Sequence, residues 1–277
     1  MNIIQLFSLL DLKRDQILEF GSTDYIRIEK NINFERKINS EIDSITSENL
    51  ILALKEYKEE LLFVMSNSIF FNFFAQNKFS KKYIFNNDLF ISDEKVKHFI
   101  TLFLQDDLIS FFSLKLSKST GEDLEELDFL LDFKTYFSEE IIYKMKLLVF
   151  SKLDLAVSQL GIPNSNNHSS INYIKFKAFY SLLSHFATIE LDKKMSNLLS
   201  LVIDSYNKNT SSIFFRSVIK SMAFYNAFSE NLTKILAKNS TVVPLLPEEV
   251  ENAKMPPVVK IIIAIMIFAI ILFLISK

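Results

Sequence analysis

The chain reads as an all-α protein, a multi-helix bundle of about seven to nine helices followed by a single C-terminal transmembrane helix. Three observations predict this. Glycine occurs three times, at Gly21, Gly121 and Gly161, and no proline precedes Pro163. The many tight turns of a β-sandwich or a doubly wound sheet are therefore missing. Apolar residues recur at spacings of three and four, the period of one helical face. Finally, the stretch Val258 to Ile275 holds one charge, Lys260.

The segment from Ile3 is amphipathic as far as Phe20, and Gly21 predicts its stop, with Ser22 or Thr23 as the next cap. From Asp24 to Ile45 apolar residues are sparse, which predicts a surface helix or a pair of them. Leu50, Leu54, Tyr57, Leu61, Val64, Ser68 and Phe71 then follow one face, the strongest helical signal upstream of the tail. Its second half, Leu61 to Ala75, carries no charge. About 22 Å of helix broken by Ser66, Asn67, Ser68 and Asn72 is too short to cross a bilayer, so a central bundle helix is expected. Asn77 to Asn87 reads as a basic and aromatic connection.

Ser92 opens a helix through Phe99 and Phe103 to Leu116. Ser119 and Glu122 have capping-box spacing, predicting a helix to about Phe137, and Ser138 caps another to Leu160. Gly161 and Pro163 end it, and GIPNSNNHSS is expected to join two helices of one bundle. Three more helices are expected over about 171–188, 192–206 and 212–238. The resulting division is a helical cytoplasmic domain over residues 1–239, a proline-containing linker over 240–257 and a transmembrane tail anchor over 258–276. The linker's four prolines prevent a continuous helix into the tail.

Ile261 to Ile275 are fifteen consecutive apolar residues, and extension to Val258 and Ser276 gives a helix of about 28 Å, just enough to span. Lys260 is tolerated because its stem lets the ammonium reach the headgroups. Lys254 and Lys260 precede the span and only Lys277 follows, so the positive-inside bias places the N-terminal part in the cytoplasm. MNIIQLFSLLDLKR has neither the early basic residue nor the small-residue cleavage site of a secretory leader. Zero cysteines agree with a reducing compartment.

Phenylalanine is abundant at 28 residues, but lysine outnumbers arginine 27 to 4, a bias typical of AT-rich coding, so the rings are read as core filler. Charge is uneven. Glu122 to Glu140 hold eight acids against Lys134, whereas Ile141 to Lys238 hold twelve bases and five acids. Glu122, Asp123, Glu125, Glu126, Asp128 and Asp132 form the candidate partner surface. The basic part either spreads its lysines around solvated helices or lies against anionic lipid, which contributes about 1 kcal/mol per nearby base. With four arginines and no aromatic and basic motif, nucleic acid is not an expected partner.

No catalytic, cofactor-binding or metal-binding residues are expected. There is no glycine-rich phosphate cradle, no thiolate and no HExxH, and none of His98, His168 and His185 has an acid three residues before it. Glu94 and His98, four apart, are read as a surface hydrogen bond rather than metal ligands. Asp106 and Asp107 interrupt an apolar stretch and are read as a solvent face or helix break. The plan resembles tail-anchored adaptors in outline. The anchor, the linker, the polar outer segments and the lack of a catalytic constellation make the expected function non-enzymatic: an adaptor, scaffold or membrane-complex subunit with a protein partner. The alternative is an effector whose tail oligomerises and whose Phe-rich helices insert into the bilayer.

Overall fold

A computed structural model describes residues 1–76, 91–162 and 168–244, and among these the chain is all-α with no strands. Helices are more numerous than the expected seven to nine. Thirteen α-helices and three short 3-10 helices occur among the described residues, because several long periodic segments are broken. The expected span over 258–276, including Val258, Lys260, Ile261 and Ile275, lies outside the described residues, as do most of the 240–257 linker and the 77–87 connection. Among the described residues no helix is long and apolar enough to cross a membrane.

The first segment is not one helix. α1 covers Ile3–Leu9, and Asp11 takes a left-handed conformation (φ 50°) before a 3-10 helix at Arg14–Glu19. Asn2 sets the start: its Oδ1 accepts from the N–H groups of Ile4 and Gln5, and its Nδ2 reaches the Phe74 carbonyl at 3.0 Å. The next helix, α2 (Ser22–Ile38), is capped by Gly21 rather than by Ser22 or Thr23, with Asp24 accepting from the Gly21 N–H at 3.0 Å. Only Ile28 and Ile32 of its residues are buried, as the sparse apolar content predicts.

The strong periodic run becomes three helices, α3 (Ser44–Glu56), α4 (Lys58–Ser66) and α5 (Ser68–Gln76). Tyr57 breaks the first junction (φ −132°, ψ 39°), and its ring meets Phe103 edge-on at 5.3 Å. Asn67, fully buried, breaks the second. Its Oδ1 accepts from Ile69 and Phe70, so the side chain replaces intrahelical bonds with a new cap. The face marked by the period is kept in α4, where Leu61 and Val64 are buried, but the break at Asn67 re-aims α5, which buries Ile69, Phe70, Phe73 and Phe74 and leaves Ser68 and Phe71 half-buried.

α6 (Asp93–Phe103) starts after Ser92 as expected but ends at Leu104, and α7 (Gln105–Lys118) follows at once. Ser119 is not the cap of the next helix. It is the left-handed C-cap of α7 (φ 52°), and Thr120 caps α8 (Gly121–Leu131) by accepting from the Asp123 N–H at 3.1 Å. α9 (Glu139–Leu160) has the expected bounds. Beyond it come a 3-10 helix at Ser169–Lys175, then α10 (Lys177–Ser184), α11 (Ile189–Lys208), α12 (Ile213–Met222) and α13 (Glu230–Val242). The helix expected over 212–238 is thus two helices with a seven-residue connection, 223–229.

The chain divides into two compact units. The first comprises Met1–Ala156 and Ser181–Phe186, and the second Val157–Tyr180 and the described part of Ala187–Lys277. Within the first unit, Phe70, Phe73, Phe74, Phe99 and Phe112 are almost wholly enclosed. Phe73 packs on Phe111 at 4.3 Å between ring centroids. Each such ring contributes about 1.5–3 kcal/mol relative to exposure, so the phenylalanines are chiefly core, as the sequence predicts. The uncharged run Leu61 to Ala75 is part of this core, with Leu61, Val64 and Ile69 fully buried. In the second unit Phe179, Tyr180 and Tyr225 have the same role.

Candidate functional site

The acidic helix α8 places its six carboxylates differently from the uniform charged face that composition suggests. Leu124, Leu127, Leu130 and Leu131 turn into the core, which rolls Asp123 and Glu126 toward α7. There Lys115 lies between them, its Nζ 2.9 Å from Asp123 and 2.6 Å from Glu126. Burial opposes the Lys115 charge, but the two carboxylates win and hold its pKa above the ordinary value. Burial also opposes ionisation of Asp123, yet the Thr120 hydroxyl, at 2.5 Å, and Lys115 keep its pKa low.

Asp128 Oδ1 is in hydrogen-bond contact with His185 Nε2 at 3.0 Å, within the first unit. Three of the six, Glu122, Glu125 and Asp132, are exposed. The helix is therefore tied down on one flank by Lys115 and on the other by His185, with Glu122, Glu125 and Asp132 exposed between them. Neither partner was evident in the sequence. Lys115 lies eight residues before Asp123 across a helix junction, and His185 lies 57 residues from Asp128.

Glu94 and His98 do not pair. Glu94 bonds Lys97, and the exposed His98 ring sits 5.9 Å from that of Tyr57. In the second unit, His168 stacks on Phe214 at 4.9 Å with an interplanar angle of 8°, and burial lowers its pKa. Asp106 and Asp107 occupy the first turn of α7, where the helix dipole favours carboxylates, directly after the break at Leu104. They border a polar recess of about 220 Å³ lined by Asn2, Thr46, Asn49, Thr101 and Gln105. Desolvation there raises the Asp107 pKa, against a hydrogen bond with Asn2. Among the described residues no group of three or more His, Asp or Glu is placed to hold a metal ion.

One arrangement escaped the sequence reading altogether. Asp192, in the first turn of α11, is 7% exposed and accepts three hydrogen bonds. They come from the Tyr225 hydroxyl at 2.8 Å, the Phe228 N–H at 3.2 Å and the Ser229 N–H at 2.8 Å. Burial and then the Asp192 carboxylate push the Tyr225 hydroxyl pKa well above the usual phenol range. The carboxylate supplies the start of α13 with the anchor that Ser229's own side chain does not.

Fold and surface together define an all-α protein of two compact units, with an acidic helix edge on the first and an Asp192-pinned connection in the second. Protein Ycf2 of Physcomitrium patens is 27% identical to it over 242 residues, a match covering 82% of this chain and 10% of the relative. The chain thus spans about a tenth of that relative's length. No family model matches the chain, and no solved structure matches it.

Proposed function

We propose that the chain is a membrane-anchored helical interaction protein, an adaptor or membrane-complex subunit rather than an enzyme. The observation that carries this reading is the run of fifteen apolar residues from Ile261 to Ile275, flanked by Lys260 and Lys277. Such a run suits a bilayer better than water. Glu122 and Asp132, exposed on a helix that Lys115 and His185 hold on its two flanks, offer a basic partner fixed carboxylates at little ordering cost.

The experiment is extraction followed by capture. The full chain should remain with membranes through alkaline carbonate, and mild detergent should release it with a stoichiometric protein partner. Replacing Glu122 by Gln and Asp132 by Asn together should then reduce the partner's recovery without releasing the chain from membranes. A chain washed off by carbonate, or recovered as a lone monomer at native abundance, overturns the proposal. The alternative of a bilayer-disrupting effector would require α4, α5 and α7 to unpack, because the phenylalanines that would insert are enclosed.

A further inference from the structure

We propose that the connection between α12 and α13 is a second lipid contact: Phe224 and Phe228 enter the headgroup region of an anionic bilayer, with Lys175 and Lys177 against its phosphates. This rests on the membrane-anchored reading but concerns a different part of the chain. Phe224 and Phe228 are 53% and 63% exposed, although Tyr225 between them is 1% exposed. The contrast does not come from a slack loop. Asp192 fixes the connection at the Tyr225 hydroxyl and at the Phe228 and Ser229 N–H groups, so the backbone is pinned while two phenyl rings face outward. Holding apolar rings in water is unfavourable, and a pinned backbone denies them a simple retreat.

Cations accompany the rings. Lys177 Nζ stands 5.6 Å from the Phe224 ring centroid, and Lys175 Nζ stands 5.1 Å from that of Phe176. The Ser221 hydroxyl donates to the Lys175 carbonyl at 2.7 Å, which ties this pair to the end of α12, where Lys220 occupies the last turn. The nearest acid in sequence, Glu230, is paired with Lys234 at 3.5 Å, and Asp192 is occupied by its three donors. The second unit's described residues carry nine bases and four acids, a net of plus 5. Rings that favour the acyl boundary beside ammonium groups that favour phosphate match an anionic interface better than a neutral one. α13 leads from this connection toward the apolar run at Ile261, so the edge belongs to the part of the chain nearest the bilayer in sequence.

The chain has no tryptophan, so Phe228→Trp places a single reporter in the full-length protein, and Phe34→Trp, at an equally exposed position of α2, serves as control. Each is reconstituted in vesicles of phosphatidylcholine with or without phosphatidylserine. Expected on the anionic vesicles is a blue shift at position 228 with quenching by lipid brominated near the headgroup, and no change at position 34. Both signals should fall with K175Q/K177Q or with raised salt. Vesicle flotation in carbonate is read in parallel. Flotation with an unquenched reporter at 228 overturns the lipid contact and leaves the anchor standing. Loss of flotation with quenching retained removes the anchor and leaves the contact. A blue shift without bromine quenching assigns the rings to a protein partner, and equal quenching at 34 and 228 means general adsorption; either overturns the proposal.

Discussion

Replacing Asp192 by Ala should be among the most damaging single changes in the second unit. The carboxylate accepts three hydrogen bonds, and bonds to an ionised group contribute about 1.5–3 kcal/mol each, though not additively within one network. Truncation also strands the Tyr225 hydroxyl, whose desolvation alone costs about 1–3 kcal/mol. Because Ala leaves room for limited relaxation or water, the expected loss is about 3–5 kcal/mol. Asp192→Asn keeps an acceptor oxygen for Tyr225 and Phe228 but turns an amide toward the Ser229 N–H, so it should cost about 1–2 kcal/mol. Tyr225→Phe removes one bond and its donor together and should cost about 1 kcal/mol. Urea unfolding followed by far-ultraviolet ellipticity measures the three values, and a D192A/Y225F cycle isolates the pair. Amide exchange should localise the D192A defect to the first turns of α13. A D192A loss under about 1 kcal/mol, or unchanged exchange there, would refute the reasoning.

Three further outcomes follow from other contacts. Lys115→Met removes the shared cation from Asp123 and Glu126, and the two carboxylates left together should lower stability by about 1–3 kcal/mol in urea, with partial recovery in high salt. Asn2→Ala deletes the cap of α1 and the bond to Phe74, an expected loss of about 2 kcal/mol, whereas Asn2→Asp, which keeps the cap acceptor, should lose less. Alkaline unfolding should be steep: Tyr173, Tyr180 and Tyr225 all have pKa values raised by burial above the ordinary value of about 10. Their contribution is complete below about pH 10 and is lost as pH rises toward the folded values, because the unfolded chain gives up those protons first. Y225F should blunt that loss, and a pH titration of unfolding that is flat above pH 10 would contradict it.

Much of the fold was legible because it depends on near neighbours. The bounds of α9 follow from a cap at Ser138 and a stop at Gly161, both local, and Leu50, Leu54, Leu61 and Val64 of the marked face are buried in α3 and α4, whereas α5 buries Ile69, Phe70, Phe73 and Phe74 in place of Ser68 and Phe71. Helix continuity was less legible. Tyr57 and Asn67 each leave the helix without a glycine or proline to announce it. The bonds that Asn67 makes to Ile69 and Phe70 satisfy the backbone as well as a continued turn would. The cap at Ser119 and Thr120 was displaced by one residue for a similar reason, since either hydroxyl suits the spacing and only the left-handed Ser119 backbone decides.

What the sequence determined by itself was the helical class, the position of the charge blocks and the apolar run at Ile261 to Ile275, because each is a property of composition or of period along the chain. Tertiary structure alone decided which charges are spent internally. Lys115 joins Asp123 and Glu126, His185 joins Asp128, and Asp192 gathers Tyr225, Phe228 and Ser229 from over thirty residues away. A carboxylate's partner is set by distance and desolvation in three dimensions, and neither is written in the order of residues. The same packing turns Tyr225 inward and leaves Phe224 and Phe228 facing out, so which aromatic residues are core and which are surface was settled by the fold.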